Sequence, residues 1–289
     1  MVKPPKVIFI QGLTGMGLVG FNVAQTVRMD LDAYRISSYS EFFPTVAFVD
    51  DGKLKTRSIE VYKAQLDQTT VYSMTGSQPE ENHLASMFIS KFEQDMNRWH
   101  TTQPVDLYLA FGAFITRFDL PSVDEREVKE LAGKKIKEEK FKDRKLFIAT
   151  AGSLEYTDLK SLLSDQSKGT ELGENLVLQE SEGYISGLNG VLPAHIADKL
   201  EIPTATVMIE TAIPDFVGSD SPLYRFLGLC GARRGLQFLQ DLLGIEFSLN
   251  AIDEDINNLE KPAIRQCAMT IRLGIQAKEG PPPRKEMYV

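Results

Sequence analysis

The chain has 289 residues, 43% hydrophobic and 25% charged, ordinary values for a globular protein and enough for one large α/β core with an appendage. A formal net charge of -8 and a pI near 5.1 argue against a nucleic-acid partner, which needs a basic face to displace phosphate counterions. No run of about 18 uncharged apolar residues occurs, so no spanning helix and no membrane partner is expected. The apolar run after Lys6 is too short for a signal peptide. Cys230 and Cys267 are the only cysteines, which suits buried thiols in a reducing compartment and predicts a cytoplasmic location.

Val7-Ile8-Phe9-Ile10 is a short continuous apolar run breaking into glycines, the pattern of a buried strand. Gly12, Gly15, Gly17 and Gly20 follow, and Val19 to Met29 reads as a helix. Thr45 to Val49 and Leu54 to Tyr62 are rich in β-formers and flank Asp50-Asp51-Gly52, a hairpin turn. Val71 to Thr75 is a further strand, closed by Gly76-Ser77-Gln78-Pro79. Leu84, Phe88, Phe92, Met96 and Trp99 recur at spacings of four, four, four and three, an apolar stripe on a helix from about Glu80 to Trp99. Val105 to Phe111 and Leu146 to Ala151 read as strands ending at Gly112 and Gly152, and their alternation with helices favours a mostly parallel sheet. Between them, Asp124 to Arg144 is charged at most positions and reads as an exposed helix or mobile insertion.

Ile185 to Leu200 is a helix candidate, and Thr204 to Glu210 is the last clear strand. Beyond Pro222 the pattern becomes helical: Leu223, Phe226, Leu227 and Cys230 share a face that Leu236, Leu239 and Leu243 continue, until Gly244 ends it. Ile256 and Leu259 begin another helix, which Pro262 is expected to break or restart. These patterns divide the chain into an α/β core at 1–220, a helical appendage at 221–276 and a proline-rich tail at 277–289. Pro281-Pro282-Pro283 makes the tail a semi-stiff spacer with a reach of about 30 Å.

The sharpest enzyme-like signal is Gly15-Met16-Gly17-Leu18-Val19-Gly20, a G-x-G-x-x-G between strand and helix, the setting of a dinucleotide fingerprint. The acid expected about 20 residues on is poorly matched: Asp30 and Asp32 come too early, and Glu41 precedes Phe42-Phe43-Pro44. Close helix-to-sheet packing is the commoner reason for such a turn. His83, His100 and His195 are the only histidines, and none stands in a metal-binding spacing. No G-x-S-x-G elbow or C-x-x-C pair is present. Glu180, Glu182 and Glu210 lie near strand ends, where a chain with 40 acids places several by chance. No catalytic, cofactor or metal residue is assigned, and the run Glu125 to Lys145 reads as a solvated helix face.

The last three residues, Met287, Tyr288 and Val289, carry the one partner-binding signal, because apolar side chains beyond a proline spacer have no local core to enter. In a receptor pocket Val289 would pair its carboxylate with a cation, Tyr288 would insert its ring, and Met287 would fill an apolar groove. Composition alone produces a hydrophobic-Tyr-any ending about 1% of the time, so the ending needs support from the rest of the chain.

That support is a resemblance. Gln11 to Gly20, Glu41-Phe42-Phe43-Pro44, the Asp51-Gly52 hairpin, Gly76-Ser77-Gln78-Pro79, Gly183 to Gly190 and Ile209-Glu210-Thr211 stand in an order and spacing similar to the proteasome assembly chaperone 2 family, in particular its archaeal members. The resemblance implies a three-layer α/β/α sandwich like the purine nucleoside phosphorylases, without a catalytic set, and a small helical C-terminal region. It implies a homo-oligomer that binds the proteasome α-subunit ring, in the 20S core or its assembly intermediates, and inserts Met287, Tyr288 and Val289 between neighbouring subunits. Such a protein is an assembly chaperone or a gate-opening activator. A nucleoside- or dinucleotide-binding enzyme using the glycine-rich turn is the alternative. The resemblance leaves the charged segment at 124–145 unexplained.

Overall fold

The computed structural model describes residues 5–43, 47–50, 53–118, 123–124, 126–155, 157–159, 176–178, 185, 187–213, 218 and 221–279. Met287, Tyr288 and Val289, like Glu180 and Glu182, lie outside the described residues.

The strands are β1 Val7–Leu13, β2 Tyr34–Tyr39, β3 Ala47–Asp50, β4 Lys53–Thr56, β5 Ile59–Leu66, β6 Thr69–Gly76, β7 Leu107–Arg117, β8 Leu146–Ala151, β9 Leu176–Leu178 and β10 Thr204–Ile213. The helices are α1 Val19–Asp30, α2 Asn82–Thr102, α3 Val128–Phe141, α4 Leu188–Leu200, α5 Pro222–Leu243 and α6 Asn250–Glu279. Eight strands form one sheet in the order β2-β5-β6-β1-β7-β10-β8-β9, while β3 and β4 pair as a separate hairpin. The four central strands β6, β1, β7 and β10 run parallel, and antiparallel pairing enters at β5 on one side and β8 on the other.

Every residue of β1 is buried, because the strand is covered on both faces. Ile8 and Ile10 point to one face, where α1, α5 and α6 complete a core of aliphatic side chains such as Val23, Val207 and Leu236. Phe9 and Leu13 point to the other, where Phe88, Phe92 and Met96 of α2 meet Leu192 and Ile196 of α4. The result is a three-layer α/β/α sandwich with a helical C-terminal region, as expected. α5 begins with Pro222 behind the N-cap Ser221, whose hydroxyl accepts from the Tyr224 N–H, and ends at Gly244 in the left-handed conformation, φ 64°. Its Leu223, Phe226 and Leu239 belong to the same continuous core as the sheet.

Three local expectations are corrected. The charged segment is not solvated on all sides: Val128, Ala132 and Ile136, four residues apart, are fully buried against the aliphatic core, leaving the lysines outward. Arg144, just beyond α3, is 1% exposed and donates to the Glu139 carboxylate and to the backbone oxygens of Glu139 and Glu210. Pro262 does not break α6, because burial of Ile256 before it and Ala263, Cys267 and Ile271 after it outweighs a penalty of about 3 kcal/mol. The run Leu54 to Tyr62 divides at Arg57-Ser58 into β4 and β5, which serve different sheets.

Candidate functional site

The crevice follows from the strand order. β1 stays beside β6 as far as Leu13 opposite Gly76, but stays beside β7 only to Gln11 opposite Ala110. β7 then continues with β10 out to Arg117 opposite Ile213. β1 leads through α1 to β2 on the β6 side, whereas β7 leads through α3 to β8 on the β10 side. Connections leaving a strand pair in opposite directions open a crevice at the carboxyl ends, the general ligand position of open α/β sheets. A cavity of about 410 Å³ lies there, bordered by Leu13, Gly15, Gln78, Gly112, Asn189 and Met208 among others.

Its floor is a network of buried amides. Gln11, fully buried directly after the apolar run of β1, donates through Nε2 to the Leu188 carbonyl (2.9 Å) and to Asn189 Oδ1 (3.1 Å). Its Oε1 accepts from the Tyr108 hydroxyl at 2.6 Å, and burial pushes that phenol well above its ordinary pKa. Gln78 ties the neighbouring loops: its backbone N–H donates to Thr14 Oγ1, its Nε2 donates to the Thr14 carbonyl, and its Oε1 accepts from the Leu188 N–H. The motif residues around 11–15, 76–79 and 187–190 thus converge on one place. Sequence reasoning quoted them as motif members without giving Gln11, Gln78 or Asn189 a role; a glutamine directly after four apolar strand residues was the available signal.

The glycine-rich turn is used for packing. A Cβ on Gly12 would stand 1.8 Å from the Gly20 carbonyl oxygen, and one on Gly228 of α5 would stand 1.7 Å from the Gly17 oxygen. Gly17 has φ 71°, and its N–H donates to the Tyr224 hydroxyl at 2.7 Å. The Thr14 and Leu18 N–H groups are taken by the Gly76 and Gly15 carbonyls. Three N–H donors of the turn are thus engaged within the fold, which disfavours the dinucleotide reading.

The other titratable candidates have structural partners. His195 Nε2 lies 2.7 Å from a Glu93 carboxylate oxygen, joining α4 to α2, and His100 Nδ1 accepts from the Val105 N–H. His83 is exposed beside Glu81. Burial alone would raise the Glu210 pKa, but the Lys142 ammonium and the Lys145 N–H on its carboxylate hold it below the ordinary value. A second cavity of about 510 Å³ lies between the end of α3, α5 and α6, and its cations are engaged: Lys140 with Glu260, Lys142 with Glu210, Arg233 with Asp253. Among the described residues no cluster of His, Cys, Asp or Glu could hold a metal ion, and no helix is long and apolar enough to cross a membrane.

No protein-family model and no curated protein matches the sequence. Solved structures do share the fold. Pyrococcus furiosus PbaB, an archaeal proteasome activator, is 16% identical, with 91% of this chain and 93% of that one aligned at a TM-score of 0.63. Pyrococcus furiosus PbaA, an archaeal homologue of proteasome-assembly chaperone, is 16% identical over 99% of this chain and all of the other (100%), TM-score 0.58. A Mycobacterium tuberculosis proteasome-assembly chaperone homologue is 15% identical over 93% of this chain and 100% of its own, TM-score 0.53.

Proposed function

We propose that the chain is a non-enzymatic partner of the proteasome, an assembly chaperone or gate-opening activator that docks on the α-subunit ring through Met287, Tyr288 and Val289. The observation that carries this reading is a fold shared over nearly the whole chain with an archaeal proteasome activator and proteasome-assembly chaperone homologues, in a sequence that ends in a hydrophobic-Tyr-any motif. Architecture and tail carry the reading together, since a fold alone hosts many functions. The crevice supports it by what lines it: amides, glycines and apolar groups, with no acid, base or nucleophile among its described residues.

In this reading the Pro281 to Pro283 spacer carries the plug away from the body, and a homo-oligomer presents several plugs to a ring with repeated pockets, which raises avidity. The test is co-sedimentation of the full chain with isolated α-rings and with mature particles. Deleting Met287 to Val289 is expected to abolish co-sedimentation with both, and Tyr288→Ala to weaken it severely. Undiminished binding by the deletion variant would sink the docking claim. Native mass of the free chain and of the complex reports how many copies take part, and peptide hydrolysis by the mature particle separates activator from chaperone.

A further inference from the structure

We propose that the crevice between β1 and β7 is a binding site for a small, uncharged, planar molecule that presents a carbonyl oxygen to Asn189. The proposal does not depend on the tail. Asn189 is 7% exposed and borders the cavity. Its Oδ1 is held by Gln11 Nε2, which fixes the plane of the amide, while its Nδ2 has no hydrogen-bond partner among the described residues. The direction of that free donor is given by the glycines around it. A Cβ on Gly15 would come within 3.5 Å of Nδ2, and one on Gly112 within 3.7 Å. Both glycines therefore leave open the space that the amide faces. The N–H₂ group thus offers a donor to an acceptor that enters the crevice.

The rest of the lining selects the ligand's body. Leu13, Met208, Phe114 and Ile115 supply apolar wall, and the last two are 43% and 37% exposed at the mouth, large apolar surfaces with room for a flat partner. Phe114 is already braced by the Phe147 ring, with centroids 4.3 Å apart. None of the described lining residues is charged, so an ion entering the crevice would lose its hydration without gaining a counter-ion there. The chemistry that fits is a neutral aromatic amide or lactam: one acceptor for Asn189 on a flat apolar frame.

The test titrates the isotope-labelled full chain with benzamide and 2-pyridone, and in parallel with benzoate and benzamidinium, charged isosteres of benzamide. The side-chain N–H₂ signals of Asn189, identified by their loss in Asn189→Ala, are followed by NMR. Benzamide and 2-pyridone are expected to move that pair saturably at millimolar concentrations, and the two ions to leave it in place. Gly15→Ala supplies a variant that keeps the fold, because its backbone is extended and the added methyl meets only ordinary contacts at 3.5 and 3.7 Å. The methyl takes the space in front of Asn189 Nδ2, so the variant's affinity for benzamide should fall by about tenfold or more. An Asn189 pair unmoved by benzamide and 2-pyridone, an equal response to benzoate, or undiminished affinity in Gly15→Ala would overturn the proposal.

Discussion

The two faces of the central sheet are packed by different means. On the α1 and α5 face, backbone meets backbone: Gly20 lies against Phe111 and Gly228 against Gly17, and aliphatic side chains with a few rings such as Phe111 and Phe238 fill what remains. On the α2 and α4 face, rings separate helix from sheet. Phe9 stacks on Tyr108 at 4.9 Å and Tyr72 at 5.9 Å, and Phe92 meets Phe9 edge-on at 5.6 Å. Rings bring polar handles into the interior. The Tyr108 hydroxyl needs the Gln11 amide, and Gln11 in turn positions Asn189. The crevice meets this ringed face at Asn189, whose amide the buried Gln11 and Tyr108 side chains hold in place.

That contrast can be broken experimentally. The largest effect is expected from Phe92→Ala, which removes a fully buried ring from the stacked cluster and should cost about 3–5 kcal/mol in chemical denaturation. If the opposite face is as rigid as its backbone contacts imply, Gly228→Ala, the addition of one methyl, should cost about 3 kcal/mol. A cost below about 1 kcal/mol would show that α5 can lift away from the turn at Gly17. The smallest effect separates the faces by pH. Cys230 and Cys267 of the aliphatic face are pushed up to about 11 by burial, from an ordinary thiol value near 9. The unfolded thiols therefore ionise first as pH rises, so their contribution is complete below pH 9 and is lost toward pH 11. The fall in melting temperature across that window should shrink in a Cys230→Ala, Cys267→Ala variant. What remains should come from phenols that burial raises, Tyr39 and Tyr108 on the ringed face and Tyr62 beside Arg28 of α1.

Much of this architecture was legible in the sequence because its signals are local. The run at Val7, the stripe on α2 and the α5 face closed by Gly244 depend on periodicity and on one end residue. Failures came where tertiary packing overrode a local rule. Tyr34–Tyr39 forms the edge strand β2, whose residues are mostly half-buried or exposed and so lack a clean apolar alternation. Val128, Ala132 and Ile136 make too thin a stripe among lysines to announce that α3 packs on α6, and Pro262 reads as a stop only until its burial on both flanks is known. The crevice was visible as motifs and invisible as chemistry. Nothing in the linear order says that Gln11, Gln78 and Asn189 meet, because strand order alone brings them together.

The sheet order also sets a schedule for biosynthesis. The first strand made, β1, is central, and its neighbours β6 and β7 are completed only after residues 76 and 117 have left the ribosome. β7 then waits for β10, which ends at residue 213, and the helix that covers Gly17 comes later still. A nascent chain therefore carries Val7-Ile8-Phe9-Ile10 with one edge or both unpaired through much of translation. High contact order of this kind predicts slow folding and dependence on early shielding of that segment, so a protein proposed to chaperone others begins its own life exposed to aggregation.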